Sequence, residues 1–155
     1  MEATVLLEEG LSRFGQLLPD HLLAANPGAG AALVFPLDSR WWWRFRAVRF
    51  TLTTDANVAN RFVTVDLCDP EGNAWIRNPA AAFQAAGVAQ EYDFCNRSSS
   101  VSGLAAFPQF VDLDRTFIPG GWQLRINVGA IQVGDALTAI RLYVEKFEPL
   151  AAAEL

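Results

Sequence analysis

The sequence predicts an all-β chain: an antiparallel two-sheet β-sandwich, jelly-roll-like, with about eight strands and a short helical N-terminal arm. Three observations carry this expectation. Apolar and polar residues alternate along four segments, the pattern of strands with one face packed and one face in water. Clusters of Asp, Asn, Pro and Gly separate those segments. No helical pattern lies between them, so the crossovers that parallel pairing requires are missing and the pairing must be antiparallel. The 155 residues suit one domain, divided here into a helical arm and linker at 1–31, a sandwich at 32–148 and a tail at 149–155.

In the arm, Leu7, Leu11, Phe14 and Leu18 recur at spacings of four, three and four, a helical stripe. Pro19 ends that helix, and Asp20 caps a short second turn through Leu23. Residues 26–31 read as a linker. A helix this short is marginal in water unless it docks on its own β-domain or on another subunit.

From residue 32 the period is two. Val48, Phe50 and Leu52 alternate with Arg49, Thr51 and Thr53, and Val63, Val65 and Leu67 with Phe62, Thr64 and Asp66. Trp122, Leu124, Ile126 and Val128 alternate with Gln123, Arg125 and Asn127, and Ile140, Leu142 and Val144 with Arg141, Tyr143 and Glu145. Weaker strands are expected near 32–37, 74–77, 88–95 and 107–113. Turn chemistry falls at 54–57, at Asp69-Pro70-Glu71-Gly72-Asn73, at 118–121 and at 133–135. Eight short strands fit a jelly roll. The spacing of Cys68, Trp75 and Cys95 does not fit the immunoglobulin pattern. With strand cores free of Pro and only one Lys, the edges carry few gatekeepers against pairing with another chain, a first hint of oligomerisation.

Composition narrows function. The chain is 52% hydrophobic and 19% charged, with five Trp and eleven Phe, too apolar for intrinsic disorder. No run is long enough to span a bilayer as a helix. The net charge of −5 opposes general nucleic-acid binding, although Arg40, Arg44, Arg46, Arg49 and Arg61 cluster with only Asp55 to oppose them. The N-terminus lacks the basic region of a secretory signal. Synthesis in a cytoplasm and two buried thiols at Cys68 and Cys95 are therefore expected.

Catalytic and metal chemistry find little support. A lone histidine, His21, cannot serve a metal set, and it stands far in sequence from either cysteine. Glu91 with Asp93, and Asp112 with Asp114, each share a strand face at i, i+2. That spacing suits glycosidase or calcium chemistry, but it equally suits a solvated face with Arg97 and Arg115 nearby. Residues 28–33 lack the third small residue and the following helix of a dinucleotide loop. No catalytic residue, metal site or cofactor is assigned, and the chain is expected to be no enzyme.

The strongest single feature is Trp41-Trp42-Trp43-Arg44-Phe45-Arg46. On a strand, Trp41 and Trp43 face one way and Trp42 the other, so bulky aromatic surface stands on both sides. A core strand covered by the N-terminal segment is one account. Another is a subunit interface, where Trp and Arg are enriched as anchors, with Trp41, Trp42, Trp43 and Phe45 as its expected members; stacking on sugars or single-stranded nucleic acid is a third. The buried phase passes from odd positions to even ones after Phe45, which predicts a bulge near Arg46–Ala47.

Residues 49–65 (RFTLTTDANVANRFVTV), 118–122 (IPGGW) and 130–145 (AIQVGDALTAIRLYVE) together resemble the small jelly-roll virion proteins encoded in structural gene clusters of tailed bacteriophages. The resemblance covers residues 40–147. It implies a non-enzymatic structural role in the virion, as capsid decoration, cement or a minor capsid or tail component. It also implies a homo-oligomer, with a trimer expected, and other virion proteins such as major capsid or tail proteins as partners. Direct binding of nucleic acid or membrane is not expected, and synthesis in the host cytoplasm is. The arm, through Leu7, Leu11, Phe14 and Leu18, would dock on the particle. The alternative is a carbohydrate-binding or receptor-binding adhesin module using exposed Trp and the loop at 97–103.

Overall fold

The computed structural model describes residues 18–80, 82–95 and 117–148. These form eight strands: β1 (Leu18–Leu23), β2 (Leu33–Pro36), β3 (Trp42–Thr53), β4 (Phe62–Cys68), β5 (Ala74–Pro79), β6 (Ala89–Cys95), β7 (Gln123–Gly129) and β8 (Ala136–Phe147). They build two antiparallel sheets, ordered β1-β8-β3-β6 and β2-β7-β4-β5. The order has a simple origin. A single long hairpin, with its tip between β4 and β5, pairs β4 with β5, β3 with β6, β2 with β7 and β1 with β8. Rolling that hairpin up sends successive rungs to alternate sheets and adds the β3–β8 and β4–β7 pairings. The result is a jelly roll.

The Asp69–Asn73 turn is that tip. Asp69 accepts from the Asn73 backbone N–H (2.8 Å), the Asn73 side-chain amide (3.0 Å) and the Trp75 indole N–H (2.9 Å). These bonds hold its carboxyl below its ordinary value against the opposing effect of burial.

The apolar sets of the two sheets meet in one core, with Phe45, Val48, Phe50, Leu52, Val63, Val65, Leu67, Leu124, Ile126 and Leu142 fully enclosed. The expected bulge is present. Phe45 pairs with Val144 and Ala47 with Tyr143, so Arg46 is the extra residue that carries the buried phase from odd to even positions. A second register shift, between Arg49 and Thr51, lies opposite Ala139, whose φ of 51° is in the left-handed region.

Leu18–Leu23 corrects the helical expectation. The segment is an edge strand on β8, registered from Leu18 opposite Lys146 to Leu23 opposite Arg141. Pro19 and Asp20 are therefore neither a helix stop nor a cap. The β8 edge offers unpaired backbone groups to any segment that can reach it, whereas a single helical turn at 20–23 has nothing comparable. Leu22 packs against the core, Asp20 accepts from Lys146 Nζ at 2.7 Å, and Pro19 is tolerated because its strand is an edge. Leu7, Leu11 and Phe14 lie outside the described residues, as does the strand expected at 107–113.

The edges are also better guarded than their composition suggests. Of the four edge strands among the described residues, β1 contains Pro19, β2 ends at Pro36, β5 ends at Pro79, and β6 carries Glu91 and Asp93. Edge exposure therefore gives no argument for oligomerisation.

A Tyr92–Gln84 hydrogen-bond network is built into the core. The Tyr92 hydroxyl donates to Gln84 Oε1 at 2.8 Å, and Gln84 Nε2 donates to the carbonyls of Leu52 and Val88 at 2.8 Å each. Burial pushes the Tyr92 phenol up to about 12. Tyr92→Phe is expected to cost about 1–3 kcal/mol in urea unfolding, because it leaves the Gln84 carbonyl unpaired in the core. A change under about 0.5 kcal/mol would mean that this oxygen finds another donor.

Candidate interaction surface

The tryptophan run begins β3, and strand geometry divides it as alternation requires. Trp43 and Phe45 face inward. Trp43 is 4% exposed, with its indole N–H donating to the Asp38 carbonyl at 3.1 Å, and Phe45 is fully buried. Both belong to the core of this chain and present no surface, which corrects their expected place at an interface. Trp42, 37% exposed, stacks on Phe147 with centroids 6.2 Å apart. Phe117 meets Phe147 edge-on at 5.0 Å, and the Arg44 guanidinium lies 4.9 Å from the Phe117 ring. Lys146 Nζ sits 5.4 Å from the Trp41 ring and 5.7 Å from that of Trp43. Trp42, Phe147, Phe117 and Arg44 thus form an aromatic corner on the outward face, while Trp41 lies with Trp43 and Lys146 on the other side and packs against the core.

The arginine cluster is neutralised by carboxylates, most of them remote in sequence. Arg44 Nε donates to Glu145 at 2.6 Å, and Arg46 lies 3.7 Å from the same carboxylate. Arg49 pairs with Asp93 and, at 3.6 Å, with Glu91. Arg40 pairs with its neighbour Asp38 at 2.8 Å. Arg61 is fully buried. Its Nε and Nη2 form a fork on Asp135 at 2.9 Å each, Nη2 also reaches Asp55 at 2.6 Å, and Nη1 donates to the carbonyls of Asn57 and Ala59. All five guanidinium donors are thereby used. Two connections between the sheets, β3 to β4 and β7 to β8, are clipped together there.

The chemical candidates of the sequence that fall among the described residues take these places. Glu91 and Asp93 face Arg49, while Asp112 and Asp114 lie outside the described residues. His21 stacks edge-on against Tyr143 at 4.6 Å. Cys68 is a buried thiol whose pKa burial pushes up, and Cys95 is half-buried in the other sheet. Trp75, 70% exposed, packs against Trp122 at 6.2 Å. The loop at 97–103 lies outside the described residues.

A second surface was not foreseen. The polar side of β4 points away from the core, yet Thr64 is only 8% exposed and Asp66 only 1%. Register explains why. Arg77 of β5 and Arg125 of β7 stand directly opposite Asp66 on either side, Asn127 stands opposite Thr64, and Gly129 stands opposite Phe62. Arg77 Nε approaches both Asp66 oxygens at 3.3 Å, and Asn127 Nδ2 donates to one of them at 2.8 Å. Arg125 leans over the β4–β5 turn at Gly72, where a Cβ would stand 2.6 Å from its Nη2. Between these walls lies a groove of about 470 Å³, lined also by Cys68 and Ala74. Its residues were legible as the outward half of each alternating strand. What alternation does not reveal is which outward side chains become neighbours.

No protein-family model and no curated protein matches the chain. Among solved structures, it is similar to a chain in the structure of infectious bursal disease virus, Gx strain, with 12% identity and a TM-score of 0.28. The similarity covers 88% of this chain and 40% of that chain, so this protein spans less than half of that neighbour's length.

Proposed function

We propose that this protein is a structural component of a virion, of the tailed-bacteriophage type suggested by its sequence resemblance. In this reading it self-associates through the aromatic corner and attaches to capsid or tail proteins without catalysing a reaction. The eight-stranded jelly roll is an architecture shared by viral capsid domains, lectins and cupins, so the fold permits the role without deciding it.

The observation that carries the reading is the corner itself. Trp42, Phe117 and Phe147 gather on the outward face at one end of the β1-β8-β3-β6 sheet, with Arg44 over the Phe117 ring. Aromatic and Arg side chains are the commonest interface anchors. A patch holding both cation and ring can also pair with a second copy of itself.

The expected solution mass is a multiple of 17.0 kDa. Trp42→Ala should weaken self-association by at least about tenfold, the loss of a central aromatic anchor, while the thermal melt stays within a few degrees. Sedimentation showing a 17.0 kDa monomer for the parent chain would sink the interface.

A further inference from the structure

We propose that the groove over β4, β5 and β7 binds an acidic saccharide, a sugar unit carrying a carboxylate beside its hydroxyls. The inference is independent of the assembly reading, since a groove on one sheet face needs no second copy.

Three features converge on this ligand class. The floor offers paired donor and acceptor groups. The Thr64 hydroxyl, on a side chain 8% exposed, makes no hydrogen bond among the described residues, and neither does Asn127 Oδ1. A hydroxyl is the ligand group that serves both, because it donates and accepts. Asp66, buried beneath them, accepts from Arg77 and Asn127 and so holds both side chains in place along the floor.

The walls carry the opposite chemistry. Arg77 uses only Nε on Asp66, which leaves both its terminal nitrogens for a ligand. Arg125 lies across the same row. Two guanidinium groups against one carboxylate give the groove a net positive charge inside a chain of net charge −5. A guanidinium fork matches a carboxylate bidentately.

The third feature is apolar. Phe62 closes one end of the groove and packs on Phe83, which is 63% exposed, at 5.3 Å. Gly129 opposite the half-buried Phe62 adds no side chain there, which leaves apolar surface against which the C–H side of a sugar ring can rest. The groove volume falls in the range of small-ligand sites. An acidic peptide fits less well. The groove lies at the middle of a sheet, where backbone groups are already paired, and the buried Asp66 would repel a second carboxylate placed on the floor.

Calorimetric titration of the full chain tests this with a glucuronic-acid disaccharide, its neutral glucose counterpart, and glutarate as a carboxylate without hydroxyls. The expected order is the acidic disaccharide tightest, with the other two at least about tenfold weaker. Arg77→Gln should abolish the preference for the acidic disaccharide over its neutral counterpart. Thr64→Val, nearly isosteric and so safe for folding, should weaken both sugars about threefold to tenfold. No binding of the acidic disaccharide at tens of millimolar, glutarate binding as tightly as the sugar acid, or an unchanged Arg77→Gln preference would each overturn the proposal.

Discussion

Asp135→Ala is expected to destabilise the protein by about 3–5 kcal/mol, the loss seen when one partner of a buried ion pair is removed. Asp135 is fully enclosed and accepts four hydrogen bonds: two from the Arg61 fork, and one each from the backbone N–H groups of Asp55 and Gln132 at 2.8 Å. Without it, a buried guanidinium keeps only Asp55 as counter-charge and two buried amides lose their acceptor. Gly134 adds a steric constraint, because a Cβ there would lie 2.8 Å from the Asp55 side chain. The damage should therefore spread to both inter-sheet connections. Urea unfolding measures the loss, and a loss under about 1 kcal/mol would show that the clip is dispensable.

The same carboxylate sets an acid limit. Burial pushes the Asp135 carboxyl up, but the Arg61 fork and the two backbone donors outweigh it, so the folded value lies below the ordinary 3.8. A group depressed on folding adds stability above its unfolded pKa and loses it as pH falls through the folded pKa. The urea midpoint should be level above about pH 5 and fall steadily below about pH 4. In Asp135→Asn the whole curve should sit lower and the acid slope should be shallower. An unchanged slope would place the acid sensitivity elsewhere, at Asp20, Asp38 or Asp69, whose carboxyls are also held down by their bonds.

Phe50→Ala should cost about 3–5 kcal/mol, the range for emptying a buried aromatic position. Phe50 of β3 stacks nearly parallel on Tyr92 and Phe94 of β6, at 5.2 and 5.9 Å. β6 is an edge strand whose only ladder partner among the described strands is β3. The cavity should thus loosen β6 before the rest of the sheet. Amide hydrogen exchange in 89–95 is expected to accelerate more than in β4, which has β5 and β7 on either side. Uniform acceleration would mean instead that the two sheets open as one unit.

Much of this architecture could be read from the chain, and the rest could not for identifiable reasons. Val63-Thr64-Val65-Asp66-Leu67 states its own strand and its own inward face, because a period of two is a local property of the backbone. The Asp69–Asn73 turn likewise declares a hairpin, and the slip of phase after Phe45 declares a bulge. Leu18–Leu23 could not be read in this way. Its leucines suit a helix or a strand over so few residues, and the waiting edge of β8, more than a hundred positions away, decides between them. For the tryptophans, alternation opposes Trp42 to Trp43 but cannot say which of them meets the opposing sheet.

Charge shows the same division. The arginine count, the poverty of histidine and the surplus of aromatic side chains are properties of composition, and they already direct attention to binding and assembly. Which carboxylate each arginine meets is settled by register. Arg44 finds Glu145 across 101 positions and Arg61 finds Asp135 across 74, so a basic run becomes a set of closed pairs. Register also stands Arg77 and Arg125 on either side of Asp66, and so turns an outward polar stripe into a groove. Strand identity and inward face follow from short-range periodicity. The neighbours on each face exist only once the long hairpin has rolled up, because antiparallel pairing joins residues by fold position and not by distance along the chain.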